Sequence, residues 1–329
     1  MTLIFMFPGQ SSRYPGMLDK LIDLHPANRQ ILDLASQRLG RDLRTHFSAE
    51  NEHAFARNVD VQVGVFLANH MFLRAVEASG VRAELSLGLS LGEYNHLVHI
   101  GALDFEQALL AVQARGEAYD RGPSGWMASV QPIDIGELEQ VVRSVSDLGL
   151  LEIVNLNSPR QHVISGEQAA VEAAVRVLED EYYVQPEVIE RHVPMHSSMF
   201  ESVADEFRVT LDALSFGTPE LPYIPNRLGR ALPRPSTADF IQMLAEHVYS
   251  PVLWRKSIDF LLETHPDAVF LEVGPRAVLH NLLQRKWTRN PKFKTDSREN
   301  TGEHLAGVVA GLRTSASEPS FAGIHCSTR

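Results

Sequence analysis

Two separated side chains in this sequence have the types and settings needed to make and break an ester. Gly88-Leu-Ser90-Leu-Gly92 has the G-x-S-x-G spacing of a nucleophile elbow, with a strand-like segment before it and a helical one after. The glycines have a steric reason, because side chains at those positions would collide with the neighbouring strand and helix. The turn lifts Ser90 to the carboxyl edge of a sheet, where backbone N–H groups face a substrate. A serine alkoxide is inaccessible near neutral pH, so a base must lie within hydrogen-bond reach. Of the 14 histidines, His196 stands out in Val193-Pro-Met-His-Ser-Ser-Met-Phe200. His96 and His99 lie three apart after Ser90 but have no HExxH pattern or Cys/His cluster beside them, so no metal site is expected. Arg285, Lys286, Arg289, Lys292 and Lys294 crowd around Trp287 and Phe293. That run reads either as a solvated surface or as a landing site for an acidic partner or phosphorylated carrier.

The elements that must hold these residues follow from periodicity. Strands are expected at residues 3–7 and 84–89, and helices at 31–38, 61–78, 92–101 and 105–119. Such alternation predicts an α/β fold with a largely parallel sheet and helices on its faces. From residue 127 the order becomes strand 127–130, helix 135–145, strands 151–155 and 162–165, helix 168–179 and strand 184–191. This is the ferredoxin-like arrangement, placed as an insertion. The larger unit resumes after Pro194, with strands at 223–225 and 268–273 and helices at 238–247 and 254–264. The expected division is therefore 1–124 with 194–300 as one domain, 125–193 as the inserted subdomain, and 315–329 as a flexible tail.

Composition excludes several function classes. Across 329 residues, 30 basic and 41 acidic side chains leave a net charge of −11, a field that repels a phosphate backbone and disfavours nucleic-acid binding. No apolar run approaches the roughly 18 residues needed to cross a bilayer. The apolar N-terminus lacks a basic flank and stops at Pro8-Gly9, so it reads as a buried strand and not a secretory signal. The single cysteine, Cys326, cannot form an internal disulfide, which suits a reducing cytoplasm.

Several motifs in fixed order add a resemblance. Phe7-Pro-Gly-Gln10, Gly88-Leu-Ser-Leu-Gly-Glu-Tyr94, Arg115-Gly116, Asn155-Leu-Asn-Ser-Pro159, Val163-Ile-Ser-Gly166, Pro194-Met-His-Ser197 and Glu272-Val-Gly-Pro275 resemble the malonyl-CoA:acyl carrier protein acyltransferase family over roughly residues 1–290. The resemblance implies an α/β-hydrolase-like core with a ferredoxin-like insertion. It implies that Ser90 is the acylated nucleophile and His196 its base, oriented by a backbone carbonyl. The N–H groups of Gln10 and Leu91 would form the oxyanion hole. Arg115 would clamp the malonyl carboxylate, with Gln62 near the same pocket and Met195 at a position tied to acyl choice. The implied partner is an acyl carrier protein. Its phosphopantetheine arm, or coenzyme A, would bring the acyl thioester, with no bound cofactor and a monomeric enzyme.

The match departs from the family around the acyl pocket. Leu89 stands where a histidine usually precedes the serine, and Gly9-Gln-Ser-Ser-Arg13 replaces the usual Gly-Gln-Gly-Ser-Gln. An isobutyl group beside the nucleophile leaves an apolar floor suited to an acyl chain. Residues 88–97 and 122–130 resemble the acyl hydrolases of trans-acyltransferase polyketide pathways. The expectation is hydrolytic release of stalled acyl groups from the carrier, with malonyl transfer as the alternative and a catalytically idle carrier-binding protein as a further one. Arg285, Lys286 and Arg289 are expected to help dock the carrier.

Overall fold

A computed structural model describes residues 1–317. Its central feature is a four-stranded parallel sheet of β1 (Leu3–Phe7), β2 (Leu85–Gly88), β7 (Val269–Glu272) and β8 (Lys292–Lys294) in the order β2-β1-β7-β8. Every residue of β1 is buried, as expected of a strand covered on both faces. The remaining strands, β3 (Trp126–Val130), β4 (Leu151–Leu156), β5 (His162–Gly166) and β6 (Glu187–Glu190), form an antiparallel sheet in the order β4-β5-β3-β6. Helices Ile135–Ser144 and Gln168–Tyr182 connect β3 to β4 and β5 to β6. The fold is thus α/β, with a parallel sheet interrupted between β2 and β7 by a smaller ferredoxin-like one.

The helix Asn58–Ala78 is buried over nearly its whole length. Its first turn is capped from a distance by the Asp120 carboxylate, which accepts the N–H groups of Asn58 at 2.8 Å and Val59 at 3.2 Å. A negative charge at that end complements the helix dipole. The helix packs closely on Phe105–Arg121 because Gly116 has no side chain. A Cβ there would lie 2.4 Å from the Cα of Val59.

Two expectations need correction. Residues 223–225 do not form a strand, since only an isolated bridge joins Tyr223 to Leu232. The neighbouring donors serve side chains instead: Ile224 N–H donates to His96 Nε2, and Asn226 N–H to the Glu93 carboxylate. Residues 315–317 are not a loose tail but the end of the helix Thr301–Ser317. That helix buries Leu305, Val308, Val309 and Leu312, an i, i+3, i+4, i+7 stripe. The remainder of the expected tail, with Cys326, lies outside the described residues. No described helix is long and apolar enough to cross a membrane.

Candidate active site

Strand β2 runs straight into the turn that carries Ser90 and then into the helix Gly92–His99. The two glycines are demanded by contact: a Cβ on Gly88 would lie 2.0 Å from the carbonyl carbon of Gly92, and one on Gly92 would lie 2.1 Å from the Phe7 oxygen. Ser90 itself adopts φ 51°, a left-handed angle rare outside glycine. Asn226 holds this geometry. It accepts the Ser90 N–H on Oδ1 at 3.0 Å and donates from Nδ2 to the Gly88 carbonyl at 2.7 Å.

His196 arrives from the far side of the antiparallel sheet in sequence, yet its Nε2 lies 2.8 Å from Ser90 Oγ. Its N–H donates to the Val248 carbonyl, and its Nδ1 lies 2.8 Å from the His247 carbonyl, both at the end of the helix Thr237–Tyr249. With Nδ1–H donating to that carbonyl, Nε2 is left as the acceptor for the serine hydroxyl. Burial, aided by the Arg115 cation and opposed by the His247 hydrogen bond, pushes the pKa of His196 down to about 3. The resting imidazole is therefore neutral, the form that acts as a base.

Arg115, on the helix Phe105–Arg121, is 1% exposed. Its Nη1 donates to Gln62 Oε1 at 2.7 Å and its Nη2 lies 3.5 Å from Ser90 Oγ. Gln62 is held in turn by donating to Asn58 Oδ1. The guanidinium also faces the rings of Tyr119 and Tyr94, 4.5 and 5.9 Å from their centroids. Among the described residues it makes no ion pair with Asp or Glu. A buried cation beside the serine hydroxyl, with no carboxylate in direct contact, could pair with an anion placed in the site.

The Gln10 N–H, at the start of the turn Gln10–Ser12 after β1, and the Leu91 N–H, at the start of the helix after Ser90, make no hydrogen bond among the described residues. Ser90's own N–H is taken by Asn226, whereas the Gln10 and Leu91 N–H groups remain able to donate to an oxygen held beside Ser90. A cleft of about 730 Å³ reaches Gln10 and Ser90 and is lined also by Leu89, Met195 and His196 and by Met127 and Val163 of the antiparallel sheet. Of the residues singled out from the sequence, Ser90, His196, Gln10, Leu89 and Met195 line this cleft, whereas Arg115 and Gln62 are buried next to Ser90 and Leu91 is buried directly after it in the chain. Arg285, Lys286 and Arg289 are exposed and stand outside it, shortly after Leu282 on its lining. His96 and His99 share the Ser86 hydroxyl, each Nδ1 at 2.8 Å, and no metal-ligating cluster occurs among the described residues.

Three neighbours escaped the sequence reading. Asn226 lies in an irregular segment, His247 in an ordinary amphipathic helix, and Glu93 three residues after Ser90. Burial raises Glu93 to about 7 against hydrogen bonds from Tyr223 and Asn226 and the Arg115 charge. Only Glu93 left a trace in the sequence, as part of the motif around Ser90.

Comparison with known proteins places these features in context. Residues 4–307 match the family described as "Acyl transferase domain". A malonyl CoA-acyl carrier protein transacylase of Bacillus subtilis (strain 168) is 30% identical over 89% of this chain and 92% of its own. The polyketide biosynthesis malonyl CoA-acyl carrier protein transacylase PksC of the same strain is 31% identical over 86% of this chain and 96% of its own. Among solved structures, the malonyl CoA-acyl carrier protein transacylase of Clostridium perfringens superposes with a TM-score of 0.87 at 26% identity, covering 97% of this chain and all (100%) of its own. A type II polyketide synthase carrier protein in complex with its malonyl-transacylase gives 0.86 at 28% identity, covering 94% of this chain and 100% of that one.

Proposed function

The chain belongs to the acyl transferase domain family, and from that premise we propose that it moves a malonyl group from coenzyme A to the phosphopantetheine thiol of an acyl carrier protein. The observation that carries this reading is Arg115, a buried guanidinium 3.5 Å from Ser90 Oγ with no carboxylate paired to it among the described residues. A neutral acyl chain would leave the guanidinium with no anion in direct contact, whereas a malonyl carboxylate would pair with it bidentately.

The steps follow from the positions of the groups. Ser90 Oγ attacks the thioester carbonyl as His196 Nε2 takes its proton. The carbonyl oxygen becomes an oxyanion facing the N–H groups of Gln10 and Leu91, each worth about 3 kcal/mol of barrier in comparable sites. The C–S bond then breaks, and the leaving thiolate takes the proton back from His196. A malonyl ester remains on Ser90. In the second half His196 removes the proton from the carrier thiol, which attacks the ester; the bond from the acyl carbon to Ser90 Oγ breaks, and Oγ takes the proton back from His196. The phosphopantetheine arm enters along the cleft between the two sheets. The exposed Arg285, Lys286 and Arg289, none of them in an ion pair among the described residues, supply the cationic surface for an acidic carrier.

Leu89 favours a second reading, in which water ends the cycle and acyl groups are released from the carrier. It replaces an imidazole beside Ser90 with an apolar wall of the cleft. One experiment separates the readings. The enzyme is given malonyl-CoA, then carrier protein, and acyl-Ser90, acyl-carrier and free acid are followed by mass spectrometry. Stable malonyl-Ser90 that passes to the carrier supports transfer. Free acid as the main product supports release, and no acyl-Ser90 from any acyl thioester supports an idle carrier-binding protein. Run with Lys286→Glu and Arg289→Glu, the carrier step is expected to slow severalfold while malonylation from coenzyme A is unchanged. Equal carrier rates would remove the docking assignment.

A further inference from the structure

Beneath the imidazole that faces Ser90 lies another one. The His247 ring stacks on His196, with centroids 4.8 Å apart and planes inclined by 23°. Its Nδ1 is 3.3 Å from Glu93 Oε2, and the two side chains are 2% and 0% exposed. The same residue supplies, through its carbonyl oxygen, the acceptor for His196 Nδ1–H. His247 Nε2 has no hydrogen-bond partner among the described residues. Glu93 does not depend on His247 for satisfaction, since it accepts the Tyr223 hydroxyl and both the N–H and Nδ2 of Asn226. A half-satisfied buried imidazole costs more than an apolar side chain of similar size would. Its presence against the ring that must become charged points to an electrostatic role.

We propose that His247 and Glu93 form a positioning pair for His196, the carboxyl fixing the His247 ring and that ring holding the His196 imidazole toward Ser90 and stabilising the charge it acquires. The inference rests on the assignment of Ser90 and His196 as nucleophile and base. When Nε2 takes the serine proton, an imidazolium forms in a pocket that already holds the Arg115 cation. Glu93 is the carboxyl one ring away. The other groups facing the pair are Arg115 from the helix Phe105–Arg121, Tyr94 from Glu93's own helix, Tyr223 from the segment before Thr237–Tyr249, and His196. No second carboxylate is among them. With Glu93 ionised, His247 Nδ1–H donates to it, and the ring turned toward His196 becomes more electron-rich. With Glu93 protonated, the bond reverses and the countercharge is gone. Glu93 changes state near pH 7, far above His196 itself, so the pair sets a pH dependence that His196 alone would not.

The test uses diisopropyl fluorophosphate on the intact enzyme. Ser90 Oγ bonds to phosphorus, the P–F bond breaks with loss of fluoride, and the proton passes to His196 and then to solvent. The reagent carries neither malonyl nor coenzyme A, so the outcome is independent of the acyl donor. In the wild type the second-order rate of Ser90 labelling is expected to rise with pH through about 7. His247→Leu is expected to lower it about tenfold and flatten that rise. His247→Gln, which keeps a donor for Glu93 but no ring, is expected to recover part of the rate. A His247→Leu enzyme with unchanged rate and pH profile would overturn the proposal. If that variant does not fold, His247→Gln decides alone: an unchanged profile overturns the pair, and a flattened one supports it.

Discussion

At the scale of single residues, the site combines two kinds of information. Ser90 and His196 were legible because tight turns and proline-flanked segments impose their residue types locally. Both sit at left-handed angles, φ 51° and 64°, a strain of about 1–2 kcal/mol each that only fixed surroundings sustain. Asn226 and His247 were not legible, because their roles depend on contacts made 136 and 51 residues away in the chain. The charge at Arg115 was legible, but not its lack of an acidic partner, and that difference shifts the reading from release of neutral acyl groups to transfer of malonyl. Arg115→Leu is expected to cut malonylation of Ser90 at least 100-fold, about 3 kcal/mol, while acetylation from acetyl-CoA falls far less. Competition between the two donors measures this directly. Parallel losses for both would mean that Arg115 maintains Ser90 geometry and does not read the carboxylate.

At the scale of elements, helices and strands with clear periodicity emerged close to their observed limits, including Leu3–Phe7 and Trp254–Thr264. The misses share a cause. The segment around Tyr223 looks strand-like by residue type, but Glu93 and His96 occupy the backbone donors a ladder would need. The helix Thr301–Ser317 hides behind small and polar residues, and only its narrow apolar stripe declares it. Gly116 shows how one absent side chain sets a functional distance. It lets the Arg115 helix lie against the Gln62 helix, so that guanidinium and amide meet at 2.7 Å. Gly116→Ala must force Val59 and its helix away. The expected result is a loss of about 1–3 kcal/mol in unfolding free energy, with weaker malonyl-CoA turnover in the fraction that folds. Denaturant melts and steady-state assays check both parts, and an unchanged KM would show that the separation of these helices does not govern carboxylate binding.

At the scale of the whole molecule, buried titratable groups tie stability to pH. Burial holds His70, His96 and His196 near a pKa of about 3 and His99 and His162 near about 4. Unfolding returns each toward its ordinary value near 6.5, so between about 4 and 6.5 the unfolded chain binds more protons and stability falls as pH falls. Glu93 and Glu272, raised to about 7 by burial, act oppositely, losing stability as pH rises from about 4.5 to 7. The imidazoles outnumber the carboxyls, so Tm is expected to drop on going from pH 6.5 to pH 5. His70→Phe, in a ring stack with Phe66 and Phe105, is expected to shallow that slope. A Tm that rises on acidification would contradict the balance. The placement of the antiparallel sheet has a separate bearing on evolution. It occupies the stretch between Ser90 and His196, yet both reactive side chains are anchored outside it, to β2 and to the helix Thr237–Tyr249. Reactivity and reach are encoded by different lengths of chain, so this inserted piece is free to drift toward new cargo while the bond-making atoms keep their spacing.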